Sequence, residues 1–288
     1  LFSTILMLAI PAKIAGCKEV VLCTPGEHPA LFYAAKLCGV TQMFKLGGSQ
    51  AIAAMAQGTE SVPAVYKIFG PGNQYVTAAK MYANRMGIAI DMPAGPSEVA
   101  VFADDSANPA YIASDLLSQA EHGHDSQVIL ISTNENVIQE TFTELEAQLA
   151  TLPRKAFAEN ALKNSKFILV GSNEEAVELL NEYGAEHLIL ACEKAEEFSD
   201  SITSAGSIFL GHYTPESAGD YASGTNHTLP TNGFAKAYSG VNLDSFVKKI
   251  TLQSISQKGL QEIGPSIIEM AEAESLQAHA NAVKLRLN

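Results

Sequence analysis

Polar side chains able to do chemistry recur in this chain inside apolar or glycine-rich surroundings. Gln119-Ala-Glu-His122-Gly-His-Asp125 closes a helical stretch, and Gln119 and His122, three residues apart, project from one face at its end. An amide oxygen and an imidazole nitrogen so placed could share a metal, although a capped helix end has the same letters. Gly184-Ala185-Glu186-His187 runs into a strand, where a carboxylate beside an imidazole suits general acid–base work. A solvated glutamate next to a core histidine would read identically. Gly219-Asp220-Tyr221 and Gly224-Thr225-Asn226-His227 fit a site and also fit turns. His279 follows Glu274 by five residues on a helical tail, a setting in which a lone histidine is ordinarily exposed or satisfied. Gly47-Gly48-Ser49-Gln50 and Gly70-Pro71-Gly72-Asn73 each join a strand end to a helix start. There, backbone N–H groups and the helix dipole favour an anion or a cofactor phosphate, and plain loop glycines are the alternative. G-x-G-x-x-G, Walker, H-E-x-x-H and G-x-S-x-G signatures are absent.

The elements that must position these residues follow the alternation of short apolar runs with amphipathic stretches, the pattern of βαβ units and a largely parallel sheet. In the first half, strands are expected at Val20–Cys23, Met43–Leu46, Val65–Phe69 and Ile88–Asp91, with helices at Pro29–Cys38, Gln50–Ala56 and from Asn73. Met92-Pro93-Ala94-Gly95-Pro96 is the strongest break and reads as a domain crossover. A second series follows, with strands at Glu98–Ala103, Gln127–Ser132, Phe167–Val170, His187–Leu190 and Ser207–Leu210. Its helices are expected at Pro109–Glu121, Asn136–Ala150 and Glu174–Glu182. His212 to Gly240 is rich in Gly, Ser, Thr, Pro and Asn, the composition of a functional loop or linker. Leu243–Ile255 and Ser266–Leu287 then read as helices of a strandless tail. The expected organisation is a Rossmann-like cofactor-side domain over 1–97, a Rossmann-like catalytic domain over 98–241 and a helical tail over 242–288.

The chain has 288 residues, enough for about two domains. Its 47% apolar and 17% charged composition is neither disordered nor fibrous. The formal charge of -13 opposes a phosphate backbone, so nucleic acid is excluded as an expected partner. No window carries the ~18 uncharged apolar residues of a membrane helix. Cys17, Cys23, Cys38 and Cys192 show no C-x-x-C spacing and read as small buried hydrophobes in a reducing, cytoplasmic compartment. The apolar opening Leu1-Phe-Ser-Thr-Ile-Leu-Met-Leu lacks a basic n-region and reads as a buried helix, so the chain is expected to be a piece of a longer protein.

Taken together, the motifs resemble histidinol dehydrogenase. Those that carry the resemblance are Gly47-Gly-Ser-Gln-Ala-Ile-Ala-Ala, Lys67-Ile-Phe-Gly-Pro-Gly-Asn73, Ile90-Asp-Met-Pro-Ala-Gly-Pro-Ser-Glu-Val99 and Asp115-Leu-Leu-Ser-Gln-Ala-Glu-His-Gly123. Glu186-His-Leu, Ala205-Gly-Ser and Gly219-Asp-Tyr-Ala-Ser-Gly-Thr-Asn-His-Thr-Leu-Pro-Thr231 complete the set, and the likeness runs from residue 1 to residue 288. It implies oxidation of L-histidinol through L-histidinal to L-histidine with two NAD+, the last steps of histidine biosynthesis. By matching position it implies Gln119, His122, Asp220 and His279 as zinc ligands, a donor set without thiolate. His187 becomes the general base and Glu186 the residue that activates water for the second oxidation. Ser97 and Glu274, together with the zinc ligands and His187, become substrate contacts, and Gln50 and Asn73 NAD contacts.

The family is a homodimer in which the tail of one subunit completes the other's site, so His279 and Glu274 are expected to act in trans. Family members also carry a long N-terminal segment, with part of a sheet and an NAD-contacting tyrosine, that has no counterpart here. Two alternatives are weighed against this reading. A zinc hydrolase using Glu186 to activate water would leave the turns at Gln50 and Asn73 without a role. A chain that folds poorly, or binds zinc and substrate without turnover, would show no NADH formation.

Overall fold

The computed structural model describes residues 2–93 and 95–287; Leu1, Ala94 within the expected crossover, and Asn288 lie outside the described residues. The chain divides after Val247 into two compact units. In the first, α1 (Ser3–Ile14) leads to β1 (Val21–Cys23), α2 (Pro29–Cys38), β2 (Gln42–Phe44), α3 (Gly48–Gln57), β3 (Lys67–Ile68), α4 (Gln74–Arg85) and β4 (Ala89–Ile90). Then come β5 (Glu98–Ala103), α5 (Pro109–Ala120), β6 (Gln127–Ser132), α6 (Glu135–Leu149), α7 (Lys155–Lys163), β7 (Lys166–Leu169) and α8 (Asn173–Tyr183). β8 (His187–Ala191), α9 (Ala195–Ser199), β9 (Ser207–Leu210) and α10 (Glu216–Tyr221) complete its regular elements, followed by 3-10 turns at Phe234–Lys236 and Leu243–Phe246. The second unit holds α11 (Gln257–Ala273) and α12 (Gln277–Leu287).

Local chemistry sets the helix ends. Pro29 and Pro109 occupy first-turn positions after the capping side chains of His28 and Asn108, where the missing N–H costs nothing. Asn73, Asn134 and Ser172 cap α4, α6 and α8. Gly184 ends α8 in the left-handed region at φ 62°, which a side chain would resist.

Among the described residues all strand pairs are parallel. The early strands form two separate pairs, β1-β2 and β3-β4, while five strands run in the order β7-β6-β5-β8-β9. From β5 the chain winds one way through β6 and β7 and the other through β8 and β9, so the switch point lies between β5 and β8. Every residue of β5 is buried, as expected of a strand covered on both faces. Val99, Val101 and Ala103 pack with Ile112, Leu116, Leu130 and Ile138 on one side. Ala100 and Phe102 pack with Leu180, Leu188 and Leu190 on the other.

Three expectations are corrected. Leu243–Ile255 is not a helix: a single 3-10 turn forms at Leu243–Phe246 and no helix resumes until α11. Phe246 instead stacks on Phe69 at 4.3 Å, and the Ser245 carbonyl accepts from Lys67 Nζ at 2.7 Å. The tail helix is two helices, broken where Ser275 adopts φ 61°. The polar stretch after His212 contains α10, and α7 and α9 are further helices outside the expected set. Among the described residues no helix is long and apolar enough to cross a membrane.

Candidate active site

Register does the first part of the positioning. Val99 of β5 lies opposite His187 of β8, which brings Glu98 and Glu186 together at the leading edge of the sheet, beside the switch point. The Glu98 N–H donates to Glu186 Oε2 at 2.9 Å, and the Glu98 carbonyl lies 3.2 Å from His187 Nδ1. A carbonyl only accepts, so Nδ1 carries the proton and Nε2 keeps its lone pair. That free nitrogen is 3.8 Å from Asp220 Oδ1, while Nδ1 is 3.7 Å from Glu186 Oε2 and 4.0 Å from Glu216 Oε1.

Gln119, 0% exposed, closes α5 against the same cluster. Turned to satisfy both neighbours, its amide nitrogen donates to the Glu216 carboxylate, 3.3 Å to Oε2, and its oxygen accepts from the Glu98 N–H at 2.9 Å. His122 follows just after the helix, exposed. Its loop is gripped by α7: Arg154 reaches the His122 carbonyl at 3.5 Å, His124 stacks on Phe157 at 4.2 Å, and Asn160 Nδ2 lies 3.2 Å from His124 Nδ1. Asp220 rides on α10, which Gly219 seats against β9, since a Cβ there would lie 2.6 Å from the Phe209 ring. One ligand atom each of His122, Glu216 and Asp220 falls within 4.8 Å of the others.

The electrostatics follow from burial. Desolvation pushes His187 down to about 4, with His122 and His227 adding to it against the pull of Asp220, so its imidazole is neutral at pH 7. Burial holds Glu186 and Glu216 well above the usual carboxylate range, and neighbouring acids add to it. Glu98 and Asp115 are each pushed up to about 7, chiefly by desolvation. Glu186, Glu216 and Asp220 each lie within 4.0 Å of a histidine ring nitrogen, and His187, the nearest to all three, is neutral and leaves their charge uncompensated. A cation is the natural counter-charge for such a cluster, and oxygen and imidazole donors without thiolate suit a divalent metal such as zinc.

The structure therefore gathers Gln119, His122, Glu186, His187 and Asp220. Ser97 is half-buried one residue before β5, its carbonyl accepting from Gln127 N–H at 3.1 Å. Gln50 is exposed in the first turn of α3, and Asn73 is exposed as the cap of α4, its Oδ1 accepting from the N–H groups of Tyr75 and Val76. Glu274 and His279 belong to the second unit, both exposed. Sequence reasoning missed Glu216, Glu98 and Asp115. Glu216 stands four residues before Asp220, a same-face spacing that becomes visible once α10 is recognised as a helix. His227, noticed only as part of a polar loop, places Nδ1 3.1 Å from the Asp220 carbonyl.

Comparison with known proteins supplies the family context. The sequence profile described as histidinol dehydrogenase matches residues 1–287. Histidinol dehydrogenase of Bacteroides thetaiotaomicron is 63% identical over 293 residues, which span 100% of this chain and 68% of that protein. The Haemophilus influenzae enzyme of the same name is 56% identical over 288 residues, spanning 100% and 67%. The crystal structure of histidinol dehydrogenase from Elizabethkingia anophelis superposes with a TM-score of 0.97 at 59% identity, covering 99% of this chain and 67% of that one. An acetylating aldehyde dehydrogenase from Geobacillus thermoglucosidasius shares the fold alone, with a TM-score of 0.51 at 16% identity.

Proposed function

The chain belongs to the histidinol dehydrogenase family of oxidoreductases, and from that membership we propose that it oxidises L-histidinol to L-histidine with zinc and two NAD+. The observation that carries the reading is His187, buried and neutral, with Nδ1 turned to the Glu98 carbonyl and Nε2 directed at Asp220. Gln119, His122 and Asp220 would hold the metal, Gln119 through its amide oxygen once that group turns over from Glu216. His279, on the second unit, would complete the set from a partner subunit. When bound, zinc would hold the substrate in place and NAD+ would supply the hydride acceptor.

The chain's own side chains move the protons. His187 Nε2 takes the alcohol proton as hydride leaves carbon, giving the aldehyde. Glu186, adjacent to His187, takes a proton from the water that adds to the aldehyde once a bound cation favours its carboxylate form. Loss of a second hydride and a second hydroxyl proton from that hydrate yields the carboxylate. Ser97 and Glu274 would contact the substrate, and Gln50 and Asn73 the dinucleotide.

Incubating the full chain with zinc, NAD+ and histidinol while following NADH absorbance tests the assignment. The expected yield is two NADH per histidinol. Release of a hydrolysis product without NADH would point to the hydrolase alternative, and binding of zinc and histidinol without NADH to a chain that does not turn over.

A further inference from the structure

Outside the acidic cluster, the described residues of the first unit include a fully buried ion pair. Lys80 of α4 and Asp91, just after β4, have side chains 2% and 1% exposed and are in direct contact. A pair this deep is weak evidence for stability, because apolar side chains of similar volume would serve as well. Its hydrogen bonds show what it holds. Asp91 Oδ2 accepts from the Gly70 N–H at 2.8 Å, and Lys80 Nζ donates to the Gly70 carbonyl at 2.9 Å. Both polar groups of one glycine, at φ 132°, are gripped by opposite ends of the pair. The remaining Asp91 oxygen accepts from the Met92 N–H at 2.7 Å, at the start of the crossover towards Ser97.

Two residues separate Gly70 from Asn73, and little freedom remains between them. Pro71 fixes its own φ. Gly72 packs so tightly on Val76 that a Cβ would lie 2.4 Å from that side chain. Asn73 is committed to capping α4. The orientation of the Gly70 peptide therefore dictates where Asn73 and the leading end of α4 point.

We propose that the buried Lys80–Asp91 pair is the positioning device of the NAD+ site, clamping Gly70 so that Asn73 and the α4 N-terminus present a fixed surface to the dinucleotide. The proposal rests on the reading of Asn73 as a cofactor contact. Lys80 and Asp91 act through the turn and touch no substrate. The test compares the full-length protein with Lys80→Met/Asp91→Asn, which removes both charges together and leaves an amide oxygen able to accept from the Gly70 N–H. Asp91→Asn alone serves as a second, harsher variant.

In calorimetric titration with NAD+, the double variant is expected to bind about tenfold more weakly or worse. In turnover, KM for NAD+ should rise while kcat, histidinol KM and zinc content stay within about twofold. Amide exchange over residues 70–76 should quicken without cofactor present. A folded double variant that binds NAD+ as the parent does, or whose turn exchanges no faster, overturns the clamp. A parent that binds no NAD+ overturns the cofactor reading of Asn73, and the role assigned to the pair with it; the exchange data then still report whether the pair holds the turn.

Discussion

At the scale of single residues, one imidazole carries most of the proposed chemistry. His187→Asn keeps much of the shape and removes the basic nitrogen. It is expected to lower histidinol oxidation by about 10²–10⁴-fold, the usual cost of losing a general base, while zinc content stays unchanged. Turnover within threefold of the parent would exclude that role. A second residue tests the electrostatics of the cluster through stability. Asp115 is pushed up from the ordinary 3.8 to about 7 by burial. Below both values each state is protonated and nothing is lost. Between them the unfolded chain releases the proton and the folded one keeps it, so the native state binds more protons and stability falls as pH rises. Asp115→Asn removes that penalty. Its melting temperature should gain on the parent's from pH 5 to pH 8, by a gap worth roughly 2–3 kcal/mol. A constant gap across that range would show that Asp115 ionises normally. Glu186, His187 and Asp220 drew notice as polar letters in apolar or glycine-rich surroundings, but those letters fitted core and turn positions equally, and only the family resemblance proposed roles for them. Glu98 and Asp115 were not, since one opens a strand and the other reads as an ordinary polar position on a helix.

At the scale of elements, legibility followed the strength of the surroundings. β5, β6 and β9 fall where the apolar runs place them, to the residue, because a five-stranded sheet rewards pairing along the whole run. β3 and β4 are shorter than their apolar runs, since each has a single partner and two residues of register. Over Leu243–Ile255, apolar residues at helical spacing lose to the Phe69 stack and the Lys67 hydrogen bond, which claim Phe246 and Ser245 for tertiary contacts. α10 escaped notice because six residues are too few to show a period, yet it carries both Glu216 and Asp220. Its seat depends on Gly219 against Phe209. Gly219→Ala is expected to push α10 off β9, costing about 1–3 kcal/mol in stability by overpacking. Zinc affinity, measured by competition with a chromogenic chelator, should fall about 10–100-fold as Asp220 and its neighbours shift. Affinity within twofold of the parent would mean that the seat of α10 does not control the site.

At the scale of the whole molecule, the proposed ligand set is split between two compact units. Gln119, His122 and Asp220 lie before Val247, and His279 lies after it. α11 and α12 pack on each other where Gly264 leaves room for Leu287 and Val283. Two helices make a thin core, and their unit leaves Met270 and Leu285 each 67% exposed. Such a tail gains by docking on a larger surface, and in the proposed homodimer that surface belongs to the other subunit. His279→Asn and Asp220→Asn proteins should then each bind zinc poorly and turn over slowly. Mixed and allowed to exchange, they should recover activity. A heterodimer has one site built entirely from native ligands and one that carries both defects. Random pairing makes half of the dimers heterodimers, and half of their sites are intact. Recovery should therefore approach about a quarter of the parental activity. If the mixture stays as inactive as its components while mass measurement confirms exchange, His279 serves the site of its own chain.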